Sequence, residues 1–327
     1  MKRKLFFEGI FFLFVCAASL NAQQTMNVIP PIIYDCATDT KDFPVVDTQQ
    51  RSAIIRYDAD DYKGVIRAIS DLQKDIERVT DVKINTSANG PLGKYEIMIG
   101  TLGKSKVIDE LVTSGKIKPR NLKGKWESFI ITTVDNPKPG IRQGLIIAGS
   151  DKRGTIYGIY ELSQQLGVSP WYWWADAPIQ KRQSAYVKSG YYESGEPKVK
   201  YRGIFINDEW PSFGNWATEK FGGVNSKMYV HLFELLLRLK ANFFWPAMWA
   251  SAFNEDDPMN PVLADEYGIV MGTSHHEPMM RAHKEYTRRK GEVGPWDYKT
   301  NKERLDNFFR EGMERNKEFD NVVTIGM

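Results

Sequence analysis

"YRGIFIN" (201–207), "NSKMYVHLFELLLRLKA" (225–241) and "NFFWPA" (242–247) read as strand, helix, strand. Both strands are apolar on both faces, which suits a parallel sheet covered by helices. The rhythm continues with a short helix in "NPVLADEYG" (260–268) and a strand in "IVMGT" (269–273). "TNKERLDNFFREGMERNKEF" (300–319) is a helix opened by a capping box of Thr300 and Glu303, and "NVVTIG" (321–326) a further strand. About four β/α units in residues 201–327 are the first half of a TIM-type barrel, a fold that usually needs about 250 residues. The sequence therefore predicts an apparently truncated barrel.

Upstream, "SAIIRY" (52–57), "YEIMIG" (95–100), "SFIITTV" (128–134) and "GLIIAG" (144–149) read as strands. Val65, Ile66, Ile69, Leu72, Ile76 and Val79 fall at helical spacing. Asp151 reads as the N-cap of a helix ending at Gly167. The expected organisation is an α/β fold with an N-terminal α/β sheet domain over 26–180. A linker over 181–200, containing the polar "VKSGYYESGEPKVK", then leads to the barrel portion at 201–327. Residues 1–22 read as a secretory signal, with Lys2, Arg3 and Lys4 before an apolar run and a cut after Ala22. That run is too short to span a bilayer. The expected location is periplasmic or extracellular. Of the two cysteines, Cys16 lies in the signal, so Cys36 has no partner for an internal disulfide.

The chain has 327 residues, of which 42% are hydrophobic, and a net charge of +3. Acidic and basic residues alternate without a basic patch, which excludes nucleic acid as a partner. No G-x-G-x-x-G, Walker A or G-x-S-x-G motif occurs. Nine tryptophans are compatible with sugar stacking or with an ordinary core.

In a barrel the site gathers at the C-terminal strand ends, here "NDEWP" (207–211), "PAMW" (246–249) and "SHHEP" (274–278). Alternation along an extended strand end would put His275 and Glu277 on one side, with Asp208 and Trp249 arriving from neighbouring strands. Carboxylates accept hydroxyl hydrogen bonds, imidazoles donate or accept, and tryptophan offers a flat apolar face. The other readings are a turn cap for Asp208 or Glu209 and a core position for Trp249. A zincin helix is excluded, since "HEPMM" has Met280 where a second histidine belongs and Pro278 opposes a helix. A scattered site of His275, His276 and His283 is the residual metal reading. His231 lies within a helix and reads as structural. "GSDKRG" (149–154) offers Lys152 and Arg153 at a helix start, an alternative anion site.

The long motifs "YRGIFINDEWP" (201–211), "KANFFWPAMW" (240–249) and "NEDDPMNPVLADEYGIVMGTSHHEPM" (254–279) closely resemble glycoside hydrolase family 115. "GPWDY" (294–298) and "NVVTIGM" (321–327) fit the same pattern, and "GSDKRGTIYGIYELSQQLGVSPWYWWADAP" (149–178) resembles the family's N-terminal domain. The resemblance implies xylan α-1,2-glucuronidase activity: metal-independent, cofactor-free, inverting release of glucuronic acid or its 4-O-methyl form from glucuronoxylan or xylo-oligosaccharides. Inversion takes a carboxylic acid and a carboxylate about 6.5–9.5 Å apart. The resemblance places that pair beyond Met327, together with further domains and homodimer contacts. It makes Asp208, Trp249, His275 and Glu277 substrate-binding residues, with Glu209 and His276 as second choices. Residues 23–327 alone are expected to be poorly soluble and inactive. The rival readings are another two-domain glycosidase, such as a hexosaminidase, and a truncated non-catalytic carbohydrate-binding protein.

Overall fold

The computed structural model describes residues 29–49, 51–90 and 93–326. The signal segment expected at 1–22 lies outside them. Strands β3 (Ile54–Arg56), β4 (Asn85–Ser87), β5 (Tyr95–Thr101), β6 (Phe129–Asp135), β7 (Gln143–Gly149) and β9 (Tyr191–Ser194) form one sheet, in the order β4-β3-β5-β7-β6-β9. The pairs from β4 to β7 are parallel, while β6 is antiparallel to both β7 and β9. Alternation along the strands sorts the core into two layers. Ile97, Ile99, Leu145 and Ile147 face the helices Lys63–Thr80 and Lys152–Leu166. Met98, Ile146 and Ala148 face the helix Lys106–Thr113. Helices on both faces of a mostly parallel sheet match the α/β expectation.

A three-stranded antiparallel sheet, β1 (Ile33–Tyr34), β8 (Ala185–Val187) and β2 (Phe43–Val46), packs into the first layer. The stretch expected as a linker at 181–200 therefore carries two strands. β8 is the central strand of this small sheet and β9 the edge strand of the large one.

The next sheet adds each strand on the same side: β10 (Gly203–Asn207), β11 (Phe243–Ala247) and β12 (Val270–Met271), all parallel. Between them run the helices Ser212–Phe221, Ser226–Arg238 and Met259–Tyr267. "NVVTIG" differs from expectation. It makes a single parallel bridge, Met271 to Asn321, and no strand is formed at 321–326. The capping box also differs. The helix runs Lys302–Asn316 from Asn301, and the Thr300 hydroxyl donates to Asp297 at 2.6 Å.

The two sheets are locked together by buried charge. Arg238 pairs with Asp75 at 2.8 Å, both side chains almost wholly buried. Glu127 receives Arg153 at 2.7 Å, Arg202 at 2.5 Å and the Asn242 amide at 2.6 Å. Gly64 is required where the helices meet, since a Cβ there would stand 2.2 Å from the Glu266 carbonyl oxygen. Lys152 donates to the Asp265 carbonyl at 2.5 Å and Arg153 to that of Gly268 at 3.2 Å. The two cations considered for an anion site are thus engaged in this seam. Cys36 is free and exposed. Among the described residues, no helix is long and apolar enough to cross a membrane.

Candidate active site

At the C-terminal end of β10 the chain turns at Asp208, whose side chain is buried. Its carboxylate faces the loop after β11. It accepts from the N–H of Trp249 at 2.9 Å, Ala250 at 3.2 Å and Ser251 at 2.7 Å, and from the Ser251 hydroxyl at 2.5 Å. Glu277, also buried, reaches the same loop from the other side. It accepts from the N–H of Met248 at 3.0 Å and of Ser274 at 3.0 Å. Burial pushes the Glu277 carboxyl above its ordinary value, against the N–H donors of Ser274, Met248 and His283, which lower it. The two acids thus brace residues 248–251 from neighbouring strand ends.

The brace sets the exposure of Trp249. Its backbone is held down while its ring stands 49% exposed. His276 lies 5.7 Å from that ring and His283 5.9 Å, centroid to centroid. His275 packs on His276 at 3.8 Å. All four line one open cavity of about 860 Å³, which continues past Met279 to Trp296 and Tyr298.

The expectation that His275 and Glu277 share a face is corrected here. Ser274–Glu277 is a turn, closed by Glu277 N–H to the Ser274 carbonyl at 2.9 Å. The imidazole therefore points outward and the carboxylate inward. Trp249, His275 and His276 front the cavity, while Asp208 and Glu277 stand behind it and Glu209 is exposed outside its lining. In the sequence His283 stands out only as a metal-ligand candidate, and Trp296 and Tyr298 only as part of the family-like motif at 294–298. Among the described residues no three His, Cys, Asp or Glu side chains form a metal-ligand set. His231 stacks on Trp173 at 4.0 Å, within a helix and away from the cavity.

The cavity wall is tied down by backbone and side-chain contacts. Met279 and Met280 both adopt left-handed backbone, φ 54° and 58°, which costs a non-glycine residue about 1–3 kcal/mol. They are held by the Met279 N–H on the Thr324 carbonyl at 2.8 Å and by Gly312, whose Cα leaves room for the Met279 oxygen. Behind them Arg281 pairs with Glu285 at 2.6 Å and Glu311 at 2.8 Å, with its guanidinium 4.2 Å from the Phe308 ring centroid. Nearby, burial and the Glu285 charge push the Glu255 carboxyl up.

An aromatic and imidazole-lined cavity at the ends of parallel strands is chemistry suited to a sugar ring. Residues 194–327 match the sequence model of Glycosyl hydrolase family 115. A solved family 115 4-O-methyl-alpha-glucuronidase, BtGH115A, with specificity for decorated arabinogalactans, is 30% identical, with a TM-score of 0.72. The match covers 84% of this chain and 35% of that one, so the chain spans about a third of its neighbour's length. Residues 194–327 thus carry the sequence pattern of family 115, and the chain resembles the corresponding part of that solved glucuronidase. A β-hexosaminidase of Streptomyces plicatus is 13% identical over 76% of this chain and 44% of its own, TM-score 0.45. The structure of CpGH84D is 11% identical over 87% and 41%, TM-score 0.47. A search of curated proteins found no match.

Proposed function

We propose that this chain supplies the first part of an exported α-glucuronidase, which removes glucuronic acid or its 4-O-methyl form from a plant polysaccharide by inversion. The observation that carries the reading is the braced Trp249 ring, presented between His276 and His283 at the strand ends. In this reading residues 201–327 begin a (β/α)8 barrel. Trp249 stacks on the uronic acid ring, and His275, His276 and His283 hydrogen-bond its hydroxyls and carboxylate. Asp208 and Glu277 position the loop. Asp208 and Glu277 have their oxygens turned to backbone donors, so this reading gives the acid and base of the inverting pair to other carboxyls.

Two carrier polymers are consistent with this site. The sequence motifs point to glucuronoxylan, and the 30% identical neighbour, specific for decorated arabinogalactans, favours that polymer as the second reading. The test offers both polymers to the protein as its gene encodes it and follows the product by proton NMR. The expected product is free uronic acid appearing first as the β-anomer, with release abolished or cut at least about tenfold by Trp249→Ala. Release of N-acetylhexosamine instead, or sugar binding without turnover, would replace this reading with one of its rivals.

A further inference from the structure

The cavity extends well beyond the ring of Trp249. It continues from Trp249 past Met279 to a second group of aromatic side chains. Its far wall carries Trp296, 48% exposed, and Tyr298, 52% exposed. Tyr286, Phe309 and Phe308 meet the Trp296 ring at 74°, 87° and 81°, with centroids 4.8, 5.5 and 6.5 Å away. These contacts are edge-wise. They hold the indole in place, and none of them is a parallel stack.

The loop that carries Trp296 is built in advance. Gly294, at φ 81°, lets the chain turn, and its carbonyl accepts the Tyr286 hydroxyl at 3.0 Å. Asn301 donates its amide to the carbonyls of Val293 at 2.7 Å and Pro295 at 2.9 Å. Asp297 accepts from the Lys299 N–H at 3.0 Å and from the Thr300 hydroxyl. An exposed indole on a loop this constrained loses little freedom when a ligand covers it. Beside it the Tyr298 hydroxyl and Lys302 share Asp306, at 2.9 and 2.6 Å, which places polar groups at the rim.

We propose that Trp296 and Tyr298 form a second sugar platform, which takes a neutral pyranose ring of the backbone that bears the uronic acid. The proposal rests on the glucuronidase reading for the identity of the first sugar. Trp249 takes the charged branch and Trp296 the uncharged carrier. The polymer preference of the enzyme is then set by the wall at 294–298, and the branch preference by the strand ends.

The test separates the two. Calorimetric titration with uronate-free backbone oligosaccharides, xylohexaose and a galacto-oligosaccharide, reads the second platform alone, while uronic acid release reads the first. In the protein as its gene encodes it, one of the two neutral oligosaccharides binds. Trp296→Ala weakens it roughly 10- to 30-fold, the size expected for a buried aromatic anchor. Trp296→Phe keeps most of the affinity, and Trp171→Ala, an exposed indole outside the cavity, leaves it unchanged. Absence of binding by the parent protein overturns the inference, as does binding indifferent to Trp296→Ala. An Ala variant that loses both binding and thermal stability, with the Phe variant folded yet equally unable to bind, overturns it too. Neutral-sugar binding that depends on Trp296, with no uronic acid released from any polymer, would uphold the platform and reject the glucuronidase.

Discussion

Asp208→Asn distinguishes an acid that reacts from an acid that braces. One carboxylate oxygen serves Trp249 N–H at 2.9 Å, and the other serves the Ser251 N–H and hydroxyl. Asparagine keeps a single acceptor. Its lower-energy orientation leaves the carbonyl oxygen with buried Ser251, so the amide NH₂ faces the Trp249 N–H, donor against donor. The lost charge-assisted bond is worth about 1.5–3 kcal/mol. Water recovers part of it because Trp249 lies at the surface, so an expected loss of about 2 kcal/mol is reasonable. Denaturant titration measures that loss, and hydrogen exchange at Trp249 and Ala250 locates it. Binding of uronic acid should weaken in parallel, because the indole is no longer held. A variant within about 0.5 kcal/mol of the parent, with unchanged exchange at 249–250 and activity down by more than about a thousandfold, would refute the brace and make Asp208 a reacting group.

Glu277 gives a pH prediction. Its carboxyl is raised in the folded state by burial, so the folded protein binds the proton more tightly than the unfolded chain does. The resulting stability is complete below the ordinary carboxyl value of 4.5 and is lost as pH rises through the raised value. Measured between about pH 4 and pH 8, the stability of the parent relative to Glu277→Gln should fall with rising pH, and a rise would contradict the burial argument. In the seam, Arg238→Met leaves Asp75 with Arg78 alone, at 2.7 Å, removes the Glu234 pair at 2.8 Å, and should cost up to about 3 kcal/mol, below the cost of a wholly unpaired buried charge. The double variant Asp75→Asn/Arg238→Met should recover part of that cost in a double-mutant cycle, whereas simple additivity would show that the pair is not coupled.

Elements whose ends are fixed by local chemistry were legible in the sequence. Asp151 caps its helix by accepting the Gly154 N–H at 2.7 Å, and Gly167 ends it in left-handed backbone, both as the residues predict. β5, β6 and β7 follow their apolar runs to within a residue. β8 and β9 were not legible, because their partners lie far away in sequence. Tyr191 pairs with Thr132 and Ala185 with Val46, and the polar Gly/Pro-punctuated segment gives no local sign of either pairing. At the site, the residue types that gather at the strand ends were readable, but the direction of each side chain was not. Period-two alternation holds only while the backbone is extended, and Ser274–Glu277 turns. The turn leaves His275 at the cavity, as expected, and takes Glu277 behind it.

The position of Trp249 follows from restraints at both ends of two strands. At their N-terminal ends, Glu127 of the first sheet unit holds Arg202 before β10 and Asn242 before β11, and Asn242 also accepts the Arg202 N–H at 2.9 Å. Gly203 lets the strands close there, since a Cβ would stand 1.7 Å from the Phe243 carbonyl oxygen. This fixes the register from Gly203–Phe243 to Asn207–Ala247. A slip of one residue would turn every side chain of β11 to the opposite face. At the C-terminal ends, Asp208 leaves β10 directly opposite the loop that follows Ala247 and ties it down, while Glu277 ties it from the β12 side. The N-terminal α/β unit is therefore part of the machinery that aims the indole. Its buried carboxylate sets the register, and the carboxylates at the other end convert that register into a ring position between two imidazoles.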